Sequence, residues 1–301
     1  MRYLVWALLF CFSTVMAATP QQAEKTFIQT ISKKDHFNQQ QLMQLFSRLH
    51  KDPAVIHAMT TPSEKKSWIF YRNFFITQDR VTLGADYLKK HHAMLLSMQK
   101  KYGIPASIIT AIIGVETKYG TVLGKYRVLP TLYTLAFYYP PREKFFTKEL
   151  EEYLILARAN HLAIATLKGS YAGALGIPQF MPSSYRYYAR PAHTEKYIDL
   201  FRNHNDAIVS IANYFHRMHW ASNQPIARKL RSSHSPLHHG EERIAFTFPD
   251  YRQYWALEHN FQVIMSYNHN LVYAMVVYQL SQAIEHQYAK NNKAKIHSKA
   301  A

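Results

Sequence analysis

Glu116 is the residue whose type and position most clearly suggest chemistry. Pro105 is placed to open a helix and Gly120 is placed to close it. Apolar residues recur between them at helical spacing, and Glu116 falls on the same stripe. The stripe consists of Ile109, Ile112 and Ile113. Because an ionised carboxylate is costly to bury, such an acid is usually paired, neutralised by a raised pKa or used in chemistry. The alternative is that Glu116 is simply a solvent-exposed residue in the last turn of the helix.

A second candidate stretch, residues 168–185, is rich in glycine and small residues. Glycines let backbone segments approach closely, while Ser170 and Gln179 supply uncharged hydrogen-bonding groups. This composition is typical of the wall of a sugar-binding cleft. The alternative is that Ser170 and Gln179 only hold the loop in shape.

The first 18 residues have the features of a secretory signal peptide. Arg2 precedes a short apolar run, and small residues at Ala17 and Ala18 offer a cleavage site. The run is too short for a comfortable transmembrane helix. Cys11, the only cysteine of the chain, follows Phe10 rather than a small residue, which disfavours lipid anchoring. We therefore expect an exported, periplasmic protein without disulfides.

The chain is strongly basic, with a formal charge of +17 over 301 residues. A basic exported protein is expected to meet a polyanion, and outside the cytoplasm the candidates are cell-wall polymer and anionic membrane surfaces. A nucleic-acid partner is disfavoured, because the export signal takes the protein away from nucleic acid and the sequence contains no recognised nucleic-acid-binding module.

The pattern of apolar residues predicts a mainly helical (α+β) protein with little sheet. Several short helices are expected before residue 101, including one over residues 83–101, and Asp52-Pro53 and Thr61-Pro62 mark breaks. Further helices are predicted over residues 145–158, 206–220 and 270–288, and the acids of the first of these are expected on a solvated face. Those acids are Glu149, Glu151 and Glu152. Residues 221–242 are predicted to be a mobile loop, and residues 244–248 are the best strand candidate.

Several short motifs follow one another in a fixed order along the chain. They are FIT at 75–77, GVETKYG at 114–120, GALG at 173–176, PSS at 182–184, DAI at 206–208, ANYF at 212–215, YW at 254–255, YNH at 267–269 and YAM at 273–275. Together they resemble the membrane-bound lytic murein transglycosylase B family, glycoside hydrolase family 103. The resemblance covers almost all of the chain after the signal segment.

The resemblance implies a lysozyme-like core with an additional helical domain and a small, reduced β region. The implied division is a signal peptide over 1–18, an N-terminal helical region over 19–101, a catalytic core over 102–220, a shortened loop insertion over 221–243, a β segment with the C-terminal helix over 244–289, and a basic disordered tail over 290–301. The implied activity is cleavage of peptidoglycan between N-acetylmuramic acid (MurNAc) and N-acetylglucosamine (GlcNAc). Glycan strands are the implied partner, and other cell-wall enzymes are further candidates.

In the family, the glutamate that matches Glu116 is the single catalytic acid and base. The implied substrate-binding residues are Tyr119, Ser170, Gln179, Tyr214, Tyr267, Asn268 and Tyr273. Ordinary glycosidases use a second carboxylate about 5 to 9.5 Å from the first. No matching second motif carries an acid here, since Glu143, Glu149 and Asp206 are explained by helix surface or capping. A single acid suits attack by the muramoyl C6 hydroxyl, which would leave a 1,6-anhydromuramoyl end.

The chain departs from the family in the calcium-binding loop, in the shortened residues 221–243 and at Pro178. Some members carry a calcium-binding loop before the DAI motif, but residues 190–200 lack the alternating oxygen ligands and the central glycine of such a loop. We therefore expect no calcium, no other metal and no cofactor. Pro178 stands where the family often has glycine. A hydrolytic muramidase and a peptidoglycan-binding protein without catalysis remain as alternative functions.

Overall fold

The structure, a computed structural model, describes residues 19–61, 67–194 and 197–300, with side chains to residue 293. The signal segment predicted over residues 1–18 and most of the break predicted at Thr61-Pro62 lie outside the described residues. The chain divides into two compact units, Met1–Leu49 and His50–Ala301. Residues 50–101, predicted as part of an N-terminal region, thus share a unit with the proposed core.

The described residues form a mainly α-helical protein, as the sequence predicts. The first unit contains α1 Pro20–Lys34 and α2 Gln39–Phe46. The helices of the second unit are α3 Pro53–Thr60, α4 Trp68–Phe75, α5 Gln78–Lys90, α6 His92–Tyr102, α7 Ala106–Thr117, α8 Val128–Tyr138, α9 Glu143–Ala159, α10 Pro182–Tyr188, α11 His204–Arg217, α12 His259–Met265 and α13 Leu271–Ala300. The strands are β1 Tyr126–Arg127, β2 Lys168–Gly169, β3 Ala227–Leu230, β4 Glu242–Thr247 and β5 Arg252–Leu257.

Helix α7 lies at the centre of the second unit. Its three stripe isoleucines are fully buried, and it packs against α5 and α13. The helix ends at Thr117, earlier than the predicted stop at Gly120, because Lys118 already adopts a left-handed conformation with φ of 46°. The Thr117 hydroxyl donates to the carbonyl of Ile177 at 3.0 Å, which joins the end of α7 to the glycine-rich segment.

Two small antiparallel sheets accompany the helices. Strands β1 and β2 form a two-stranded ribbon in which Tyr126 pairs with Gly169 and Arg127 pairs with Lys168. The other sheet has the strand order β3-β5-β4. Strand β4 includes most of the predicted strand, whereas β3 lies inside the segment predicted to be a loop, so that prediction was wrong. Among the described strands, β3 pairs with β5 alone, and this long-range pairing leaves no local sequence signal.

Two helix predictions also need correction. The helix predicted over residues 83–101 is interrupted at His91, whose ring stacks on His204 with centroids 5.1 Å apart. A tertiary contact thus breaks a segment that contains no proline. The basic tail predicted to be disordered continues α13 to Ala300 instead. Residues 290–300 contain neither proline nor glycine, the residues least favourable inside a helix.

Candidate active site

Glu116 lies one residue before the end of α7 and is half-buried. Its Oε1 accepts a hydrogen bond of 2.6 Å from the hydroxyl of Tyr273 on α13. Burial raises the pKa of Glu116 to about 7, and the Tyr273 hydrogen bond opposes this shift because it favours the ionised form. Glu116 is therefore suited to exchange a proton near neutral pH.

Three tyrosines predicted to bind substrate form one aromatic cluster beside this carboxyl group. The rings of Tyr267 and Tyr273 are stacked, with centroids 6.5 Å apart and an interplanar angle of 8°. Tyr214 meets Tyr267 edge-on at 5.0 Å. The Tyr267 hydroxyl donates to the carbonyl of Pro178 at 2.6 Å, and the Tyr214 hydroxyl donates to that of Ser266 at 2.8 Å. Backbone acceptors thus fix both rings.

A cleft of about 530 Å³ adjoins the aromatic cluster. Its lining includes Glu149, Gln179, Ser183, Tyr214, Tyr267 and Asn268. Glu116 and Tyr273 are not among the lining residues. Tyr273 nevertheless connects the Glu116 carboxyl group with Tyr267, and Tyr267 lines the cleft. The structure therefore brings Gln179, Tyr214, Tyr267 and Asn268 together in one cleft, and Tyr273 joins this cleft to the partly exposed Glu116.

Gln179 is held in place by its own amide group. Its backbone has a φ of 50°, and Nε2 donates to the carbonyls of Gly176 at 2.8 Å and Leu123 at 3.2 Å. These bonds leave the side-chain carbonyl oxygen as the group that can accept from a ligand in the cleft. Gln179 thus combines the loop-holding and cleft-lining roles that the sequence left open.

The structure places Ser170 and Tyr119 differently from the other predicted binding residues. The Ser170 hydroxyl oxygen accepts from the backbone N–H groups of Ala172 and Ala174, at 3.2 and 3.0 Å, so it holds the glycine-rich turn. Tyr119 is buried, and its hydroxyl donates to the Arg80 carbonyl at 2.7 Å. Neither side chain lines the cleft. Their contacts support a structural role for both residues.

Glu149 is a site residue that the sequence reasoning missed. It was predicted to face solvent, as was Glu152, but both carboxyl groups are buried. Glu149 lines the cleft and accepts from the backbone N–H and hydroxyl of Ser183, at 2.9 and 2.6 Å, while Glu152 pairs with Arg186. The available signal was the one used for Glu116, since Glu149 falls on an apolar stripe. That stripe consists of Phe146, Leu150 and Tyr153.

Comparisons with known proteins identify the family of the chain. Residues 19–245 and 231–282 match a family model described as the transglycosylase SLT domain. The chain belongs to this family. The predicted family resemblance is thus confirmed.

Relatives of known identity extend the match over most of the chain. The chain is 35% identical over 294 residues to membrane-bound lytic murein transglycosylase B of Escherichia coli. This match covers 86% of the chain and 81% of the relative. The crystal structure of soluble lytic transglycosylase SltB1 from Pseudomonas aeruginosa superposes with a TM-score of 0.83 at 35% identity, covering 88% of this chain and 99% of that one. The Escherichia coli transglycosylase Slt35 in complex with calcium gives a TM-score of 0.81 at 34% identity, covering 89% and 94%. The predicted lysozyme-like fold class is confirmed.

The Slt35 structure is a complex with calcium, whereas in this chain the acids of the segment before α11 and of its first turn are engaged by the backbone. Both carboxylate oxygens of the buried Asp206 accept from backbone, Oδ1 from Ala192 at 2.8 Å and Oδ2 from Asp199 at 2.9 Å. Oδ1 of Asp199 in turn accepts from the backbone N–H groups of Phe201 and Arg202. The described residues of this segment therefore do not fit a calcium loop, because its acids already bind the backbone. The sequence predicted that Asp206 caps a helix, and it did not predict these hydrogen bonds from Ala192 and Asp199.

A possible metal-ligand group appears where the sequence predicted none. Ligand atoms of His238, Glu241 and Glu258 lie within 4.8 Å of one another. However, Arg228 donates to both oxygens of Glu241, at 2.9 and 2.7 Å. This guanidinium already supplies the positive charge that a metal would bring, so an ion-pair cluster explains the arrangement.

Among the described residues, no helix combines the length and apolar character needed to cross a membrane.

Proposed function

We propose that this SLT family member is a lytic transglycosylase that cleaves the β-1,4 bond between MurNAc and GlcNAc of peptidoglycan. The observation that carries the proposal is the half-buried Glu116, whose pKa of about 7 suits both proton donation and proton acceptance. The lytic transglycosylases among its relatives support the same substrate. The cleft beside the tyrosine cluster offers the aromatic and amide groups that bind sugar rings.

Glu116 acts first as an acid. Because Tyr273 donates to Oε1, the transferable proton belongs on Oε2, which is not engaged by that hydroxyl. Transfer of this proton to the glycosidic oxygen lets the bond from the muramoyl anomeric carbon break, and the GlcNAc part leaves as an alcohol. The acetamido group of the muramoyl sugar stabilises the cationic carbon that results.

Glu116 then acts as a base. Its carboxylate accepts the proton of the muramoyl C6 hydroxyl, while O6 bonds to the anomeric carbon and closes a 1,6-anhydro ring. One proton leaves the carboxyl group and one returns, so the reaction consumes no water. After the ring closes, Glu116 is again protonated for the next turnover.

The engagement of the other buried acids supports attack by C6 rather than by water. Glu149, which lines the cleft, is occupied by Ser183, and Asp206 is occupied by the 192–199 segment. An inverting or retaining hydrolase would need such a carboxylate to activate water or to bond the sugar. The described residues supply neither acid in a form ready for that role.

Digestion of purified sacculi tests the proposal. The wild-type protein is expected to release muropeptides with 1,6-anhydro ends, which mass spectrometry distinguishes from hydrolytic ends by one water. Glu116→Gln is expected to bind sacculi without releasing them. Reducing ends in place of anhydro ends would instead establish a hydrolytic muramidase, and unchanged sacculi with wild type would indicate a binding protein.

We also propose that the protein works in the periplasm, where peptidoglycan lies. The signal pattern of residues 1–18 and the family membership support this location. A fractionation experiment with the full-length chain, tracked by antibody, would find it in the cytoplasm if this is wrong.

A further inference from the structure

Two histidines from distant parts of the sequence stack on each other in the second unit. His91 lies at the break between α5 and α6, and His204 is the first residue of α11. Their ring centroids lie 5.1 Å apart, and the interplanar angle is 27°. Both side chains are half-buried and line an open recess of about 540 Å³. Because histidine ordinarily changes its charge at about pH 6.5, this stack can respond to the pH of the surroundings.

Each ring has a surrounding that favours its neutral form. The hydroxyl of the buried Tyr87 lies 3.1 Å from Nδ1 of His204. A charged ring must donate here, so the Tyr87 hydroxyl would have to accept and its own hydrogen would lose this partner. Nε2 of His91 is buried and has no hydrogen-bond partner among the described residues. Protonation would place an unsatisfied N–H of a charged ring at that position.

The charges around the pair also oppose a proton on either ring. Lys90 of α5 acts on both rings, Arg202 lines the recess, and the N-terminus of α11 carries a positive partial charge. The acid of the recess, Asp199, already accepts from two backbone N–H groups. A hydrogen bond from Asn205 favours the charged form of His91, but burial outweighs it. Burial is the largest cause that lowers the pKa of both histidines.

The pair supports the turn that directly follows Glu116. His204 packs on Gly120, where an added Cβ would lie 2.6 Å from Cε1 of the ring. Tyr87, the partner of His204, packs against Tyr119 with ring centroids 5.6 Å apart. The stack thus joins the break between α5 and α6, the end of α7 and the start of α11. Separation of the two rings would remove a support of the helix end that carries Glu116.

We propose that His91 and His204 form a proton-operated latch, which holds the end of α7 when both rings are neutral and releases it when either ring gains a proton. The two histidines are positioning residues for Glu116, and their effect on activity rests on the proposed function. In these rings the folded state binds protons less tightly than the unfolded state does. The stability that they contribute is therefore present above about pH 6.5 and is lost as the pH falls below that value.

Urea titrations between about pH 8 and pH 5 test the latch without reference to activity. The double variant His91→Phe with His204→Asn keeps a ring in the stack and a side-chain acceptor for Tyr87, but it removes both titrating groups. Each proton that unfolding takes up changes the unfolding equilibrium constant about tenfold per pH unit. Between about pH 6.5 and pH 5, the constant of the wild type should rise about tenfold more than that of the double variant. Both proteins keep Glu116 and therefore share its contribution.

The matched control is His216→Phe, which makes the same exchange on α11. The ring of His216 stacks on Tyr102, with centroids 4.7 Å apart, and not on a second histidine. This variant should keep the pH dependence of the wild type. Equal losses of pH dependence in the control and the double variant would overturn the proposal, as would a double variant that retains the full dependence.

A nuclear magnetic resonance titration of the wild type needs no double variant. The ring signals of the two histidines, identified by their absence from His91→Phe and from His204→Asn, should titrate below about pH 6.5. Titration of both rings at or above this pH would contradict the latch, because the folded state would then not resist their protonation.

Release of muropeptides from sacculi tests the effect on Glu116. A single acid that must be protonated gives no fall of kcat/KM towards acid, so an acid-side fall below about pH 6.5 is assigned to the latch. In the double variant this fall should be absent or lie about one pH unit lower. The same acid side in both proteins would contradict the positioning role. A wild type that releases no anhydro ends at any pH would contradict the proposed function, and the urea titrations would still decide whether the latch exists.

Discussion

Replacing Tyr273 with phenylalanine should raise the pKa of Glu116 above its value of about 7. The substitution keeps the stacked ring and removes only the hydroxyl that donates to Oε1 at 2.6 Å. This hydrogen bond favours the ionised carboxylate, so its loss favours the protonated form. Hydrogen bonds to charged groups contribute about 1.5 to 3 kcal/mol, and about 1.4 kcal/mol corresponds to one pKa unit. We therefore expect the pKa to rise by roughly one to two units.

The alkaline side of the activity profile reports this change. Because the reaction begins with the protonated acid, kcat/KM should fall as the pH rises through the pKa of Glu116. In Tyr273→Phe that fall should occur about one to two pH units higher than in the wild type, measured as the rate of release of anhydro-muropeptides from sacculi.

Tyr267→Phe is the matched control. It makes the same chemical change on the neighbouring ring, but the hydroxyl that it removes donates to the Pro178 carbonyl and not to Glu116. In this variant kcat/KM should fall at the same pH as in the wild type, even if KM itself changes. If Tyr273→Phe left this fall unmoved or shifted it to lower pH, the account of how Glu116 is tuned would be wrong.

Three further predictions concern stability. The raised pKa of Glu116 means that the folded state binds its proton more tightly than the unfolded state does. The free energy of unfolding should therefore fall by about 3 kcal/mol as the pH rises from about 4.5 to about 7. Glu116→Gln should melt at a higher temperature than the wild type at pH 8 and at a similar temperature at pH 4. Gly124→Ala should lower the free energy of unfolding by more than about 2 kcal/mol, because φ is 103° and a Cβ there would lie 2.0 Å from the backbone carbonyl oxygen of Gly169. The control Gly240→Ala, with φ of 84° and no atom within 4 Å of the added Cβ, should lower it by about 1 kcal/mol in a urea titration. Glu149→Ala should cost about 2 to 4 kcal/mol and Ser183→Ala less, since the serine variant keeps the backbone donor to the carboxylate; equal costs in a thermal melt would contradict this assignment.

Local patterns were sufficient to predict the elements that stabilise themselves locally. Asp52 caps a helix that starts at Pro53, and α9, α11 and the start of α13 lie close to their predicted positions. The sequence could not predict where long-range contacts change the pattern. His91 breaks a helix in contact with His204, and β3 becomes a strand only by pairing with β5.

The candidate site was predictable to the extent that an acid on an apolar stripe marks a buried carboxyl group. This rule selected Glu116, and applied to α9 it would also have selected Glu149. The motifs indicated Tyr119 and Ser170 as well, but motif position cannot distinguish a side chain in the cleft from one that holds the backbone beside it. Only the hydrogen-bond partners make that distinction.

The hydroxyls of Tyr214, Tyr267 and Tyr273 each have an acceptor within the protein before any sugar binds. The three rings therefore have little rotational freedom left to lose when a glycan strand enters. Ordering a rotamer-rich side chain at an interface costs about 0.5 to 1.5 kcal/mol. Because folding has already ordered these three rings, binding of a glycan strand avoids much of that cost. A rigid inhibitor shaped to these rings should consequently gain affinity chiefly through slow dissociation, with association limited by its entry into the cleft.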